Sequence, residues 1–145
     1  MSKRRLVIKG SEWARGEAKL PRNPDGDGAS NALLNGDGTR CCIGIDGKSR
    51  GIPDNILLHC PAPWRLSSQV AMGHIEIKDK ELEKIVDQYI SDWRATLEIG
   101  DEVLEREEHA VEINDALRMT DEERIKMLRP IFAEMDIILV WRPDL

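Results

Sequence analysis

The sequence predicts an α+β fold in which a small sheet, built from strands at the two ends of the chain, packs against about three C-terminal helices. Two apolar, β-branched runs, Arg5–Lys9 and Ile137–Trp141, have the composition of strands. Residues Asp79–Trp93 carry apolar side chains at helical spacing opposite a charged face. The 145 residues fit one domain, with a loop-rich half at 1–78 and a helical half at 79–145.

The N-terminal half is predicted to consist mainly of turns and loops. Asn-Gly and Asp-Gly pairs at 35–38 favour positive φ angles and predict a hairpin-like reversal between 32–34 and 39–43. The Gly- and Pro-rich middle that follows is predicted to be irregular as far as Gly73. A short alternating segment, Gly73–Lys78, then predicts a strand.

The C-terminal half is predicted to contain two further helices and the last strand. A helix is expected from Asp101 to about Met119, and Thr120 opens the next helix with a capping box. Pro130 is expected to kink that helix, because proline lacks the amide donor. The Ile137–Trp141 strand is strongly apolar, so we expect it to lie centrally in the sheet and to pair with the first strand.

The charge of the chain is unevenly distributed. The net charge is −6, but residues 1–75 hold eleven Lys and Arg against seven Asp and Glu, whereas residues 76–136 hold nine against nineteen. An acidic C-terminal half favours a protein partner with a basic surface and argues against duplex nucleic acid. We expect Glu105, Glu108 and Glu112 to contribute to that contact.

The compartment is predicted from hydropathy and cysteine content. No stretch approaches the roughly 18 apolar residues of a membrane span, and the basic N-terminus lacks the apolar run of a signal peptide. The three cysteines, Cys41, Cys42 and Cys60, form an odd set, which favours reduced thiols in the cytoplasm.

Several motifs contain residue types that bind phosphate or metal ions in other proteins. Gly44–Ser49 ends like a phosphate-binding loop, but the required first glycine is Cys42. A zinc site could draw on the three cysteines with His59 or His74, yet adjacent cysteines seldom share a zinc ion, so buried reduced thiols are favoured. The glutamates near His109 fit a solvated helix face better than a di-metal site. The sequence therefore predicts no catalytic residue, metal or cofactor.

A second function class is left open by the basic N-terminal half. Arg40, Lys48, Arg50 and Trp64 could line an anionic pocket that sequesters a nucleotide signal. Asn114 and Asp115 are interpreted as structural polar residues, and Asn114 is expected to bond the backbone around Cys41–Gly44. The sequence does not determine the oligomeric state, and a homodimer is one option.

One ordered set of short motifs resembles a known group of proteins. Read together, these motifs resemble those of uncharacterised small proteins encoded by tailed bacteriophages: Trp13-Ala14-Arg15-Gly16, Leu33-Leu34, Cys41-Cys42-Ile43-Gly44, Ile113-Asn114-Asp115, Thr120–Arg124 and Phe132-Ala133. The resemblance implies a phage origin and hence a location in the host cell cytoplasm. With the acidic half and the lack of a catalytic set, it suggests a non-enzymatic protein that binds and modulates a host protein.

Overall fold

The computed structural model describes residues 3–15, 32–58, 60, 62–96, 98–99, 102–103, 110–115 and 119–145. Helices and two small sheets are both present, which confirms the α+β class. In chain order the elements are β1 (Arg4–Lys9), α1 (Cys42–Ser49), α2 (Asp54–Leu57), a 3-10 turn (Pro63–Arg65), α3 (Leu66–Ala71), α4 (Lys80–Ala95), β2 (Glu98–Ile99), β3 (Glu102–Val103), α5 (Ala110–Asp115), α6 (Asp121–Ala133) and β4 (Ile137–Arg142).

The two terminal strands pair as the sequence predicted. β1 and β4 are parallel, with Leu6 opposite Leu139, and the alternate side chains on one face are buried. Parallel pairing requires a long crossover, and nearly the whole chain supplies it. The prediction that β4 lies centrally is wrong, because this sheet has only two strands within the described residues.

Both long helices begin with a side-chain cap, and the cap at Thr120 was predicted. The side chain of Asp79 accepts a hydrogen bond from the amide of Glu81 at the start of α4. At the start of α6, Thr120 and Glu123 form both bonds of the capping box. These bonds satisfy amide groups that have no partner inside the helix. α6 passes through Pro130 and ends three residues later at Ala133.

The middle of the chain is helical where irregular chain was predicted. α1, α2, the 3-10 turn and α3 occupy most of residues 42–71, and no strand forms at Gly73–Lys78. The turn at 35–38 is present, but the segment expected to be its second strand becomes helical at Cys42. α1 is buried from Cys42 to Gly47, so tertiary packing determines its conformation more than local propensity.

The continuous helix predicted from Asp101 to Met119 is also wrong. Glu102–Val103 is a strand that pairs antiparallel with Glu98–Ile99, and the described helical part is only Ala110–Asp115. The backbone groups of Glu102 and Val103 take part in this antiparallel pair. They are therefore not available for the hydrogen bonds of a helix that begins at Asp101.

The core is formed where α4, α6 and the sheet meet α1. Trp93 and Phe132, both fully buried, contact each other edge to face at 5.2 Å between ring centroids. Tyr89 lies one turn before Trp93 and is also fully buried. Among the described residues, no helix is both long and apolar enough to cross a bilayer.

Candidate functional site

A buried carboxylate, Asp46 on α1, is the centre of the strongest polar network. Its Oδ2 accepts hydrogen bonds from the Trp93 indole (2.8 Å) and from Arg50 Nε (3.0 Å). Its Oδ1 faces the guanidinium of Arg4 on β1, which also contacts Ser49. Three donors from three elements therefore occupy a carboxylate that is completely shielded from solvent.

The contacts of Asp46 connect secondary-structure elements, and they do not resemble the surroundings of a reactive carboxylate. Arg50 also pairs with Asp92 (2.8 Å) and lies over the Tyr89 ring at 5.4 Å, so α1 and α4 are joined twice. The Tyr89 hydroxyl donates to the Ile43 carbonyl at 2.7 Å. Burial and the nearby Asp46 charge raise the pKa of Tyr89 well above its ordinary value, so its hydroxyl stays a neutral donor.

A second buried hub is Asn114 on α5. Its Oδ1 accepts from the Trp13 indole (2.6 Å) and from the Cys42 amide (2.9 Å), and its Nδ2 donates to the Ala14 carbonyl (2.9 Å). The bond to Cys42 is the backbone contact that was expected from the sequence. Asn114 thus connects the segment after β1 with the first turn of α1 through buried hydrogen bonds.

Replacing Asn114 with alanine is expected to lower the free energy of unfolding by about 2–3 kcal/mol, because three buried polar groups lose their partner. Urea denaturation followed by tryptophan fluorescence measures the change. Asn55, which is exposed at the start of α2, provides the control: Asn55→Ala should shift stability by less than about 0.5 kcal/mol. Equal effects of the two substitutions would contradict the structural role of Asn114.

Arg15 links the segment after β1 to α6. Its guanidinium lies over the rings of Trp13 and Trp141, at 5.1 and 5.8 Å, and it pairs with both carboxylate oxygens of Asp121 at 2.9 and 2.8 Å. The bonds from Arg15, helped by Arg124, hold the pKa of Asp121 below its ordinary value. The sequence analysis predicted no separate role for Arg15. The signal that could have indicated one is its place in the Trp-Ala-Arg motif.

The cations expected to line an anionic pocket are all paired with carboxylates. Arg40 bonds Asp54 at 2.6 Å, Lys48 lies 3.3 Å from Glu12, and Arg50 is held by Asp46 and Asp92. Trp64 lies in the 3-10 turn and packs, half-buried, against the core. The structure therefore places the three cations in ion pairs within the chain and Trp64 in packing contacts with the core.

Cys41, Cys42 and Cys60 are buried, and no disulfide joins them. Burial raises the pKa of Cys60 to about 11, so its thiol remains protonated at neutral pH and is a poor nucleophile. Among the described residues, no group of three or more His, Cys, Asp and Glu side chains could hold a metal ion. His59, one of the candidate zinc ligands, lies outside the described residues.

None of the three predicted acidic contact residues has a described side chain. Glu105 and Glu108 lie outside the described residues, as does His109. Glu112 and Asp115 belong to α5 by their backbone, and their side chains are not among those described.

An open groove lies between α3 and α4, where the acidic half begins. Its volume is about 300 Å³, and it is lined by Leu66, Ser67, Val70, Ile77, Glu83, Val86, Asp87 and Ile90. The lining combines an aliphatic floor with two carboxylates that are exposed on α4. Sequence reasoning identified the apolar stripe of α4 but not the groove beside it.

Comparison with known proteins provides no further assignment. No family model matches the sequence, and no curated protein or solved structure is significantly similar to it. The groove and the charges of the described residues are therefore the basis for inferring a function.

Proposed function

We propose that this chain is a phage-encoded, non-enzymatic protein that binds and modulates a host protein through its acidic helical half. The observation that carries the proposal is the groove between α3 and α4, with its aliphatic floor and carboxylate rim. The motif pattern that resembles small tailed-phage proteins supports the phage origin.

The groove has the composition of a peptide-docking surface. Val70 on its α3 side is 41% exposed, so apolar area is available to a partner. Glu83 and Asp87 form no ion pair with any other described residue, which leaves both carboxylates available. Their one-turn spacing on α4 suits a segment that carries an apolar anchor beside Lys or Arg.

The charge of the surrounding surface favours the same kind of partner. Residues 76–136 hold nine Lys and Arg against nineteen Asp and Glu, so a basic partner is attracted before contact is made. Such attraction weakens as salt screens the charges. The ion pairs of Arg40, Lys48 and Arg50 count against the nucleotide-binding alternative, because a phosphate would have to displace a carboxylate from each of these cations.

Charge reversal on the groove rim tests the proposal. We expect Glu83→Lys/Asp87→Lys to abolish capture of a stoichiometric protein from host lysate by the tagged chain at low salt. The matched control is Glu122→Lys/Glu134→Lys, which changes the net charge equally at exposed positions of α6 and at its C-terminal end. Affinity capture followed by native mass spectrometry measures the bound partner and its stoichiometry.

The outcomes separate the competing functions. Loss of the partner in the groove variant alone supports docking at this groove. Equal loss in both variants would show that overall charge matters and not the groove. Recovery of the chain without a protein partner, but with a bound nucleotide that raises its thermal midpoint, would replace the proposal by the small-molecule alternative.

A further inference from the structure

Along the outer edge of β4, backbone groups are not paired with any strand of the described residues. The carbonyls of Asp136 and Arg142 accept bonds from the amides of Arg4 and Gly10, at 2.9 and 3.0 Å. In a parallel ladder alternate residues bond the same neighbour, so the even-numbered residues of β4 face β1. The backbone groups of Ile137, Leu139 and Trp141 therefore point to the opposite edge, where no strand among the described residues pairs with them.

The two open edges of this sheet differ in charge. β1 carries Arg4, Arg5 and Lys9, and cationic side chains are a common protection of edge strands against pairing with another chain. β4 has no charged residue from Ile137 to Trp141, and its residues all favour strands. Among the described residues, cations thus protect the β1 edge against pairing, whereas the β4 edge has no such protection.

We propose that a second copy of this chain pairs with the free edge of β4, antiparallel and about a two-fold axis at Leu139. This register places Ile138 opposite Val140 of the copy on the outer face, and Ile137 opposite Trp141 on the inner face. It also places Asp136 opposite the copy's Arg142. Every cross-strand pair then joins apolar with apolar or acid with base, which is the pattern that stabilises sheets.

The charges at the ends of β4 fit this register. Asp136 is exposed and forms no ion pair with any described residue. Arg142 has only a long, exposed contact with Asp144 at 3.6 Å, which is easily exchanged for a new partner. Packing of two outer faces against each other is disfavoured instead, because Arg5, Lys9 and Arg142 are cations on the same face.

The concentration dependence of mass is the first measurement. Sedimentation and light scattering should give a mass of twice 16.4 kDa for the whole chain, falling toward the monomer on dilution. Amide exchange at Ile137, Leu139 and Trp141 should slow as the protein concentration rises. A monomer at every concentration would overturn the proposal.

A lysine on each strand tests which edge is used. Ile138→Lys should weaken dimerisation at least about tenfold, because its charge would face Val140 and lie beside the copy's Arg142. Val7→Lys is the matched control: Val7 is 41% exposed on β1, similar to Ile138 at 45%, and should leave the dimer unchanged. Equal weakening by both, or by neither, would place the interface elsewhere and overturn the register.

A charge exchange then tests the pairing of the strand ends. Arg142→Asp should weaken the dimer by about tenfold, because two carboxylates would oppose each other. Asp136→Lys/Arg142→Asp should restore much of the affinity, with folding of each variant checked by circular dichroism. Failure of the double variant to recover, when both variants are folded, would contradict the antiparallel register.

Discussion

Replacing Gly44 with alanine is expected to destabilise the protein by more than about 4 kcal/mol, a large part of the total stability of a domain of this size. A Cβ at this position would lie 1.8 Å from the carbonyl oxygen of Leu33 and 2.5 Å from its carbonyl carbon. α1 therefore contacts the backbone of the preceding segment without any space for a side chain.

The backbone of Leu33 is poorly able to move away. Its amide donates to the Cys60 carbonyl at 2.8 Å, and its side chain is completely buried. Relief of the clash would require α1 to move, and that movement would disturb the bonds of Asp46 and Asn114 at the same time. Overpacking of this kind costs more when neither side can adjust.

Urea denaturation and thermal melting measure the effect of Gly44→Ala, with Gly38→Ala as the control. Gly38 has φ +89° and open space around its Cβ position, so alanine there costs only the left-handed conformation, about 1–2 kcal/mol. A Gly44→Ala variant as stable as the Gly38→Ala variant would show that α1 can shift freely, contrary to the packing described.

Replacing Asp46 with alanine is expected to cost about 3–5 kcal/mol, the usual range for removal of one partner from a buried ion pair. Arg50, whose side chain is 12% exposed, would lose one of its two carboxylate partners, and the Trp93 indole would lose its acceptor. The positive charges of Arg4 and Arg50 would then lie near each other without the acid between them.

A surface pair provides the control for Asp46. Glu12 lies 3.3 Å from Lys48, whose side chain is 57% exposed, so Glu12→Ala should cost no more than about 1 kcal/mol. Urea unfolding at neutral pH gives both values. If Asp46→Ala proved as mild as Glu12→Ala, the carboxylate would not be the link between α1, β1 and α4 that its contacts indicate.

The parts that were predicted correctly are those with strong local signals. The capping box at Thr120 was predicted because its side chain bonds an amide only three residues away, and α4 was predicted from the apolar spacing of its own residues. The pairing of the terminal strands was predicted because both are apolar and β-branched. The sequence signal for each of these features lies within a few consecutive residues.

The polar clusters were recognised only in part. Asn114 was interpreted as a structural residue because an amide among apolar neighbours needs partners, but its bonds reach Trp13, 101 positions away. Arg50 was assigned to a ligand pocket because it lies in the Gly-rich, net-basic N-terminal half. Its carboxylate partner Asp92 comes from α4, 42 positions along the chain, and no local pattern indicates it.

The sequence by itself determined the α+β class, the two terminal strands, the helix α4 and the capping box of α6, because periodicity and capping act over a few residues. Only the tertiary structure decided that 42–49 is a helix, that the strands run parallel and that three predicted ligand-binding cations are neutralised. These features depend on burial and on partners tens of positions away. Hydrophobic contact and the need to pair buried charges outweigh the weak local preferences of such segments.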